Sequence, residues 1–180
     1  MMFKNVQIKA YQIGLVFKNR NLIEILKEGN HWIFGNKSVE VHEMKSQFTT
    51  TEDLNLLLKN EGLNSMLEVV DVKDGKIVLV QENGIFKEVL NVGQYAFWKG
   101  ILNREFQKVD LTKVEITEKI SKTILENMKL KNFTRKFVVT NQYKGLLLID
   151  GKLTKVLEAG TYYFWNNEIS VEVKLSLIHI

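Results

Sequence analysis

The chain has 180 residues, of which 45% are hydrophobic and 26% are charged. These values are typical of a globular protein that buries its own core, and they argue against disordered, collagen-like and coiled-coil chains. The sequence has no cysteine, which excludes disulfides, thiol catalysis and cysteine-ligated zinc. It carries 25 Lys and Arg against 21 Asp and Glu, and the net charge of +4 is modest for a nucleic-acid-binding protein.

The apolar stretches of the sequence are short. No run approaches the roughly 18 residues that a membrane-spanning helix needs, and the first residues lack the apolar core of a signal peptide. We therefore expect a cytoplasmic protein. Proline is absent, so the turns must be made by Gly, Asn and Asp.

Three segments of the sequence align without a gap, at offsets of 64 and 67 residues: 18–34, 82–98 and 149–165. In the last two copies, Asn83-Gly84 and Asp150-Gly151 are strong signals for a type I′ hairpin, because both turn positions need a positive φ. Asn19-Arg20 is the weaker version in the first copy. The strand after each hairpin ends in Leu-x-x-Gly, which predicts a tight turn or bulge at three equivalent glycines: Gly29, Gly93 and Gly160.

An aromatic run follows each of these glycines. The three tryptophans of the chain lie in the three runs: Trp32, Trp98 and Trp165. Their recurrence predicts an aromatic packing layer inside each copy. Alternating apolar and polar residues then predict a half-buried strand at 39–44, 106–111 and 169–173. Each copy is therefore expected to be a meander of three or four short strands.

Two stretches between the copies have helical character. Residues 51–60 open with Thr51 as a cap and acidic residues in the first turn, and Asn60 and Gly62 can close the helix. In residues 117–128, three apolar residues share one helical face: Ile120, Ile124 and Met128. We expect both helices to pack against the sheets.

These patterns predict a mainly β (α+β) fold. Three repeated hairpin or meander units would form small barrel- or sandwich-like modules, with two short connecting helices. The predicted boundaries are unit 1 at 1–48, a helical link at 49–67, unit 2 at 68–116, a second helical link at 117–132 and unit 3 at 133–174.

The repeated unit resembles the segment that opens band 7 (SPFH) domains, which occur in stomatin, prohibitin and the slipins. Residues 11–17 and 143–148 are similar to the family's Tyr-x-x-Gly/Ala opening strand, with one residue fewer between Tyr143 and Gly145, and Val109-Asp110-Leu111 matches its end. Over residues 6–174 the chain is similar to the N-terminal region of bacterial slipin-family proteins, which repeat the unit before the band 7 domain. Unit 3 would then be the start of that domain.

The resemblance implies a non-catalytic scaffold or interaction region. By analogy with the family, the full-length protein would oligomerise at or near a membrane, peripherally at the inner membrane. It would organise or regulate partner proteins, which include further copies of itself, and a protease is one candidate partner. We expect its repeated β-units to present edges and loops to a partner, by strand addition in one version.

The chain also departs from the family. Stomatin's Gly-Pro-Gly before the aromatic run is absent, as is its membrane-inserting N-terminal hairpin. The last six residues, 175–180, match one translated frame of a transposase adapter used in sequencing libraries. We expect an adapter-derived tail at 175–180 and a natural chain that continues beyond residue 174. The alternative is a genuine apolar terminal strand.

Catalytic motifs are absent from the sequence. The three histidines, His31, His42 and His179, lack metal-ligand spacing, and no nucleophile elbow, phosphate loop or dinucleotide fingerprint is present. His31 stands in the aromatic run, and His42 is expected to face outward on its strand. We therefore expect no enzyme activity, no cofactor and no metal. An enzyme with a site between units is a third hypothesis, without a motif to support it.

One basic strip is the best candidate for nucleic-acid binding. It surrounds Phe133, and its cationic residues are Lys129, Lys131, Arg135 and Lys136. Small β-barrels bind single strands with such basic grooves and aromatic platforms. The alternative function is therefore a single-stranded nucleic-acid-binding module. The other interpretations are contact with anionic lipid head groups and a solvated link.

Overall fold

The computed structural model describes residues 3–177. Strands make up 56% and helices 10%, which confirms the predicted mainly β fold. The strands are β1 (Phe3–Ile8), β2 (Gln12–Lys18), β3 (Asn21–Leu26), β4 (Gly29–Phe34), β5 (Ser38–Glu43), β6 (Gln47–Phe48), β7 (Leu67–Val72), β8 (Lys76–Glu82), β9 (Ile85–Leu90), β10 (Gly93–Trp98), β11 (Arg104–Asp110), β12 (Thr134–Val139), β13 (Tyr143–Ile149), β14 (Lys152–Leu157), β15 (Gly160–Trp165) and β16 (Val171–Leu177). The helices are α1 (Leu54–Leu57), α2 (Glu61–Met66) and α3 (Lys122–Leu125), and a 3₁₀ turn covers Lys131–Phe133.

Five strands make each repeat: β1–β5, β7–β11 and β12–β16. The first strand pairs with the fourth, and the second lies between the third and the fifth. Each repeat therefore consists of a two-stranded ribbon and a three-stranded sheet, which we number 1 to 3, and β6 adds a third strand to ribbon 2. This corrects the expected meander of three or four strands. The sheets of the described residues stay open, and none closes into a barrel.

The hairpin tips have the backbone geometry of type I′ turns. The φ angles are 52° and 76° at Asn83 and Gly84, 47° and 74° at Asp150 and Gly151, and 50° and 65° at Asn19-Arg20. Among the three equivalent glycines that follow, Gly29 and Gly93 have φ angles of 141° and 151°, whereas Gly160 does not have a positive φ. The equivalent glycines therefore do not share one backbone conformation.

Replacing Gly151 with alanine tests how much this hairpin tip depends on glycine. A Cβ at Gly151 would meet nothing within 4 Å, so the cost is that of holding a non-glycine residue at positive φ, about 1–2 kcal/mol. At Gly160 a Cβ would meet the Tyr162 ring at 3.5 Å, an ordinary contact. We expect the urea midpoint of Gly151→Ala to fall clearly and that of Gly160→Ala to stay near wild type. Equal losses would contradict this assignment.

The first helical link consists of two helices. The Asp53 carboxylate accepts hydrogen bonds from the backbone N–H groups of Asn55 (2.8 Å) and Leu56, which starts α1 there rather than at Thr51. The Asn60 side chain accepts from Leu63 N at 3.1 Å and caps the start of α2. The sequence predicts that Asn60 ends a single helix. It divides the link instead, because its amide oxygen satisfies a free N–H of the next turn.

The second helical link is shorter than predicted. Ser121 caps α3, and Ile120 and Ile124 pack on a core as expected. Met128 lies beyond the end of this one-turn helix and is 82% exposed. Its assignment to the buried face is therefore corrected, because the helical period does not extend to residue 128.

The chain divides into two compact units. Unit A contains residues 3–71, Glu82–Gly84 and Gly93–Arg104, and unit B contains Val72–Gln81, Ile85–Val92 and 105–177. Within each unit, a ribbon packs on the sheet of its own repeat. In unit A ribbon 1 packs on sheet 1 through Val6, Ile8, Val16, Leu26 and Ile33. In unit B ribbon 3 packs on sheet 3 through Val139, Leu147, Leu157, Phe164 and Val171.

A second kind of core joins the sheet of one repeat to the ribbon of the next. In unit A the other face of sheet 1 packs on ribbon 2, through Ile13, Leu15 and Phe17 on one side and Leu67, Ala96 and Trp98 on the other. In unit B sheet 2 packs in the same way on Trp165 of ribbon 3, through Ile77, Leu79 and Val109. Linker leucines fill the remaining space: Leu57 and Leu63 in unit A, Leu125 and Leu130 in unit B.

The C-terminal strand runs into the predicted tail. Leu175 and Leu177 of β16 pair with Gly145 and Tyr143 of β13. Residues 178–180 of that tail lie outside the described residues, as does His179.

Candidate interaction surfaces

Ribbon 1 exposes an aromatic face. Phe3, Trp32 and Phe34 are 64%, 56% and 61% exposed, and we call these three residues the ribbon face. Phe3 lies opposite Phe34 in the β1–β4 register, and its ring centroid is 5.9 Å from that of Trp32. Side chains alternate across a ribbon, so the opposite side is the one that packs on sheet 1. Three large aromatic side chains are therefore left on one side of a two-stranded ribbon.

The corresponding positions of ribbon 2 are buried. The 64-residue offset aligns Phe3, Trp32 and Phe34 with Leu67, Ala96 and Trp98, which are 2%, 1% and 1% exposed. Trp98 and Trp165 occupy equivalent buried positions, whereas Trp32 is shifted from them by two residues. This corrects the expectation that Trp32 belongs to a packing layer. No sheet from the described residues covers ribbon 1 in the way that sheet 1 covers ribbon 2.

Sheet 3, in the third repeat, exposes an aliphatic face. Leu146 lies opposite Val156 and Leu148 opposite Leu153, so the four side chains share one face. Leu153 and Val156 are 60% and 52% exposed, and Leu146 and Leu148 are half-buried. We call these four residues the sheet face. Leu147, between them in the chain, points to the buried core under ribbon 3.

Aligned positions in the other two sheets are covered. Leu153 and Val156 align with Leu22 and Ile25 in sheet 1, which pack on the core that contains Trp98. They align with Phe86 and Val89 in sheet 2, which pack on the core that contains Trp165. The sheet face therefore has apolar residues like those of the covered sheets, but no ribbon among residues 3–177 covers it. The sequence does not predict this face, because the apolar residues at the aligned positions of the three sheets do not show which sheet is covered.

His31 has a structural role in ribbon 1. Its Nε2 lies 2.7 Å from the carbonyl oxygen of Lys27. The equivalent residue of ribbon 3, Tyr162, donates from its hydroxyl to the carbonyl of Glu158 at 2.9 Å. The two side chains thus make the same contact to the turn before the fourth strand.

His42 packs inward, which corrects its expected outward orientation. Its side chain is 12% exposed, and its ring lies 4.9 Å from that of Phe48 and 6.2 Å from that of Trp98. The strand alternation assigned this face to solvent, but ribbon 2 covers it. Within residues 3–177, neither His42 Nε2 nor Trp98 Nε1 has a hydrogen-bond partner.

Burial lowers the pKa of His42, because it disfavours the charged ring, and the Glu40 carboxylate at 3.6 Å opposes this only partly. An unfolded histidine has a pKa of about 6.5. As the pH falls below that value, the unfolded chain takes up the proton first, so the free energy of unfolding decreases. We expect His42→Phe to be less sensitive than wild type between about pH 7.5 and pH 5.5 in urea titrations. An equal loss of stability in both proteins would contradict this.

The basic strip makes internal contacts in unit B. Arg135 donates to Asn166 Oδ1 at 2.8 Å, to the carbonyl of Ile169 at 2.8 Å and to the carbonyl of Asn167. It therefore fastens the loop between β15 and β16. Lys129 donates to the carbonyl of Lys87.

Lys136 of the strip belongs to a three-residue cluster. Its Nζ lies 2.7 Å from Glu126 Oε1, which also accepts from the Tyr163 hydroxyl at 2.5 Å. The hydrogen bonds from Lys136 and Tyr163 lower the pKa of Glu126. The pKa of Tyr163 is raised, by desolvation first and then by its bond to Glu126. Three of the four cationic residues of the strip, Lys129, Arg135 and Lys136, therefore make contacts within their own unit, which does not favour the nucleic-acid alternative.

In the part of the chain that the structure describes, no three His, Asp or Glu side chains are grouped so as to hold a metal ion. Among residues 3–177, no helix is both long and apolar enough to cross a membrane. Comparison of the chain with protein-family models, with curated proteins and with solved structures finds no match.

Proposed function

We propose that this chain is a non-catalytic interaction region that binds protein partners through the ribbon face and the sheet face. The observation that carries the proposal is the exposure, in the first and third repeats, of apolar positions whose equivalents in other repeats are buried or packed against a core. Exposed apolar patches on folded proteins commonly mark protein contacts. Large aromatic side chains such as Trp32 are frequent anchors of such contacts.

The resemblance to slipins extends the proposal to the whole protein. In that version the chain is the repeat region of a band 7 scaffold, which oligomerises, lies peripherally at the inner membrane and organises or regulates its partners. The sequence features that support this version are the opening strands at 11–17 and 143–148 and the recurring glycine-aromatic segments.

Site-specific photo-crosslinking in cells that express the protein tests the interaction role. A benzophenone side chain would be placed at Trp32, at Leu153 or at Ile85, which is 72% exposed and belongs to neither face. We expect protein crosslinks, identified by mass spectrometry, from the first two positions and not from Ile85. Crosslinks that are absent from both faces, or equally frequent at Ile85, would contradict the proposal.

The nucleic-acid alternative has its own measurement. Titration of a labelled single-stranded oligonucleotide at low salt would show binding that weakens steeply as salt is added. Binding that is lost in Lys131→Glu would support the alternative. Absence of binding at low salt would contradict it.

A further inference from the structure

The repeats follow one packing rule. In unit A one face of sheet 1 is covered by ribbon 2, the ribbon of the next repeat, and in unit B one face of sheet 2 is covered in the same way by ribbon 3. Within the described residues, two surfaces are not covered by a contact of this kind. One is the outer side of ribbon 1, and the other is the outer side of sheet 3.

One of these surfaces belongs to a ribbon and the other to a sheet, and each internal contact is formed by one ribbon and one sheet. Along β4 only Ile33 is fully buried, whereas the last three residues of β10 are all buried. Along β2 five consecutive residues are buried, whereas along β13 only Gly145 and Leu147 are. Within residues 3–177, no sheet packs on the outer side of ribbon 1 and no ribbon packs on the outer side of sheet 3.

We propose that the ribbon face of one copy docks on the sheet face of a second copy, in a head-to-tail contact that repeats the internal sheet-to-ribbon packing. The inference rests on the proposed interaction role and names the partner as another molecule of this chain. Phe3, Trp32 and Phe34 would cover Leu146, Leu148, Leu153 and Val156, as Leu67, Ala96 and Trp98 cover sheet 1.

The chemistry of the ribbon side suits a buried contact. The β1–β4 register places Asn5 opposite Trp32 and Gln7 opposite Asn30, so the outer side of the ribbon carries aromatic and amide groups without an ionisable side chain. Its desolvation therefore involves no buried charge.

The side-chain volume of the ribbon face also suits a contact between two copies. The internal contacts are completed by linker leucines, such as Leu57 and Leu63 in unit A. A contact between copies has no linker. The large Trp32 at the position of Ala96 supplies side-chain volume that the linker supplies inside the chain.

Polar residues lie on the side of the sheet face formed by β16. Glu172, Lys174 and Ser176 stand opposite Leu148, Leu146 and Lys144, and Lys144 is itself paired with Glu158. A polar rim beside an apolar centre is the usual anatomy of a protein interface. A contact between two different patches of one chain is heterologous, so association continues beyond a dimer unless a ring closes.

Sedimentation velocity of the purified chain over a range of concentrations tests the proposal. We expect the average mass of wild type to rise with concentration. Trp32→Glu and Leu153→Glu should each raise the apparent Kd by roughly tenfold or more, because each places a charge in the contact. Ile85→Glu, an equally exposed substitution outside both faces, should associate like wild type. Circular dichroism checks that each variant is folded.

Mixing the two defective variants identifies the mode of contact. Trp32→Glu retains its sheet face, and Leu153→Glu retains its ribbon face, so the equimolar mixture should form a 1:1 complex that grows no further. If either variant alone still dimerised fully, the contact would be ribbon-to-ribbon or sheet-to-sheet and the head-to-tail proposal would be overturned.

The outcomes also separate this inference from the interaction role. A wild-type chain that is monomeric at every concentration would overturn self-docking. Crosslinks from Leu153 to a different protein would then leave the interaction role standing with another occupant. Monomeric behaviour together with the absence of crosslinks would overturn both.

Discussion

Replacing Trp165 with alanine should destabilise unit B by about 3–5 kcal/mol, the usual cost of truncating a fully buried tryptophan. The side chain is 0% exposed and packs among Ile77, Leu79 and Leu130. Its Nε1 also donates to Glu118 at 3.4 Å. The loss combines the transfer free energy of the indole with the cavity that the fixed strands on either side cannot close.

Two further alanine substitutions make this test specific. Trp98→Ala should destabilise unit A to a similar degree, because Trp98 is 1% exposed, whereas Trp32→Ala should change stability by less than about 1 kcal/mol. Urea unfolding followed by far-ultraviolet circular dichroism is the suitable measurement, since each variant loses a fluorophore. Low protein concentration keeps self-association out of the comparison. A Trp32→Ala loss as large as that of Trp165→Ala would place Trp32 in a core.

The hairpins could be located from the sequence because their chemistry is local. Asn83-Gly84 and Asp150-Gly151 specify positive φ at two adjacent positions, and few other turns require that. Repetition strengthened this signal enough to identify the weaker Asn19-Arg20 turn. The mainly β composition follows from the alternating strands that flank these turns.

The pairing of the first strand of each repeat with the fourth could not be predicted in this way. Alternation shows that a segment is a strand but does not identify its partner, and the strands of a ribbon are separated by a complete hairpin. The helical links show a related limit. Asp53 and Asn60 both have good capping chemistry, and the sequence alone does not show that each of them starts a separate short helix.

The exposure of the ribbon face and the sheet face could not be predicted from the sequence either. Leu22, Phe86 and Leu153 are equivalent apolar residues, and their own strands do not distinguish them. What differs is whether another ribbon covers them, which is a property of the tertiary structure. The same reason explains His42, which alternation assigned to solvent and which ribbon 2 covers.

Arg104 is the residue for which we expect the largest electrostatic effect. Its side chain is 3% exposed, and its Nε lies 2.9 Å from Glu82 Oε1. Its two terminal nitrogens donate to the carbonyls of Trp98 (3.2 Å) and Lys45 (2.8 Å). The guanidinium thus connects β10, the segment before β6 and the end of β8 within unit A.

Arg104→Ala should destabilise unit A by about 3–5 kcal/mol, because it breaks a buried ion pair and removes the donors to two carbonyls at once. Arg104→Lys should recover little of this, since an ammonium group cannot reproduce the planar fork that reaches three acceptors. Arg20→Ala is the matched control. Arg20 also lies 3.2 Å from a carboxylate, that of Glu52, but its side chain is 80% exposed, so its removal should leave the urea midpoint unchanged within error. If Arg104→Lys were as stable as wild type, charge alone would account for the role of Arg104. If Arg20→Ala lost as much stability as Arg104→Ala, burial would not explain the contribution of the Arg104 guanidinium to stability.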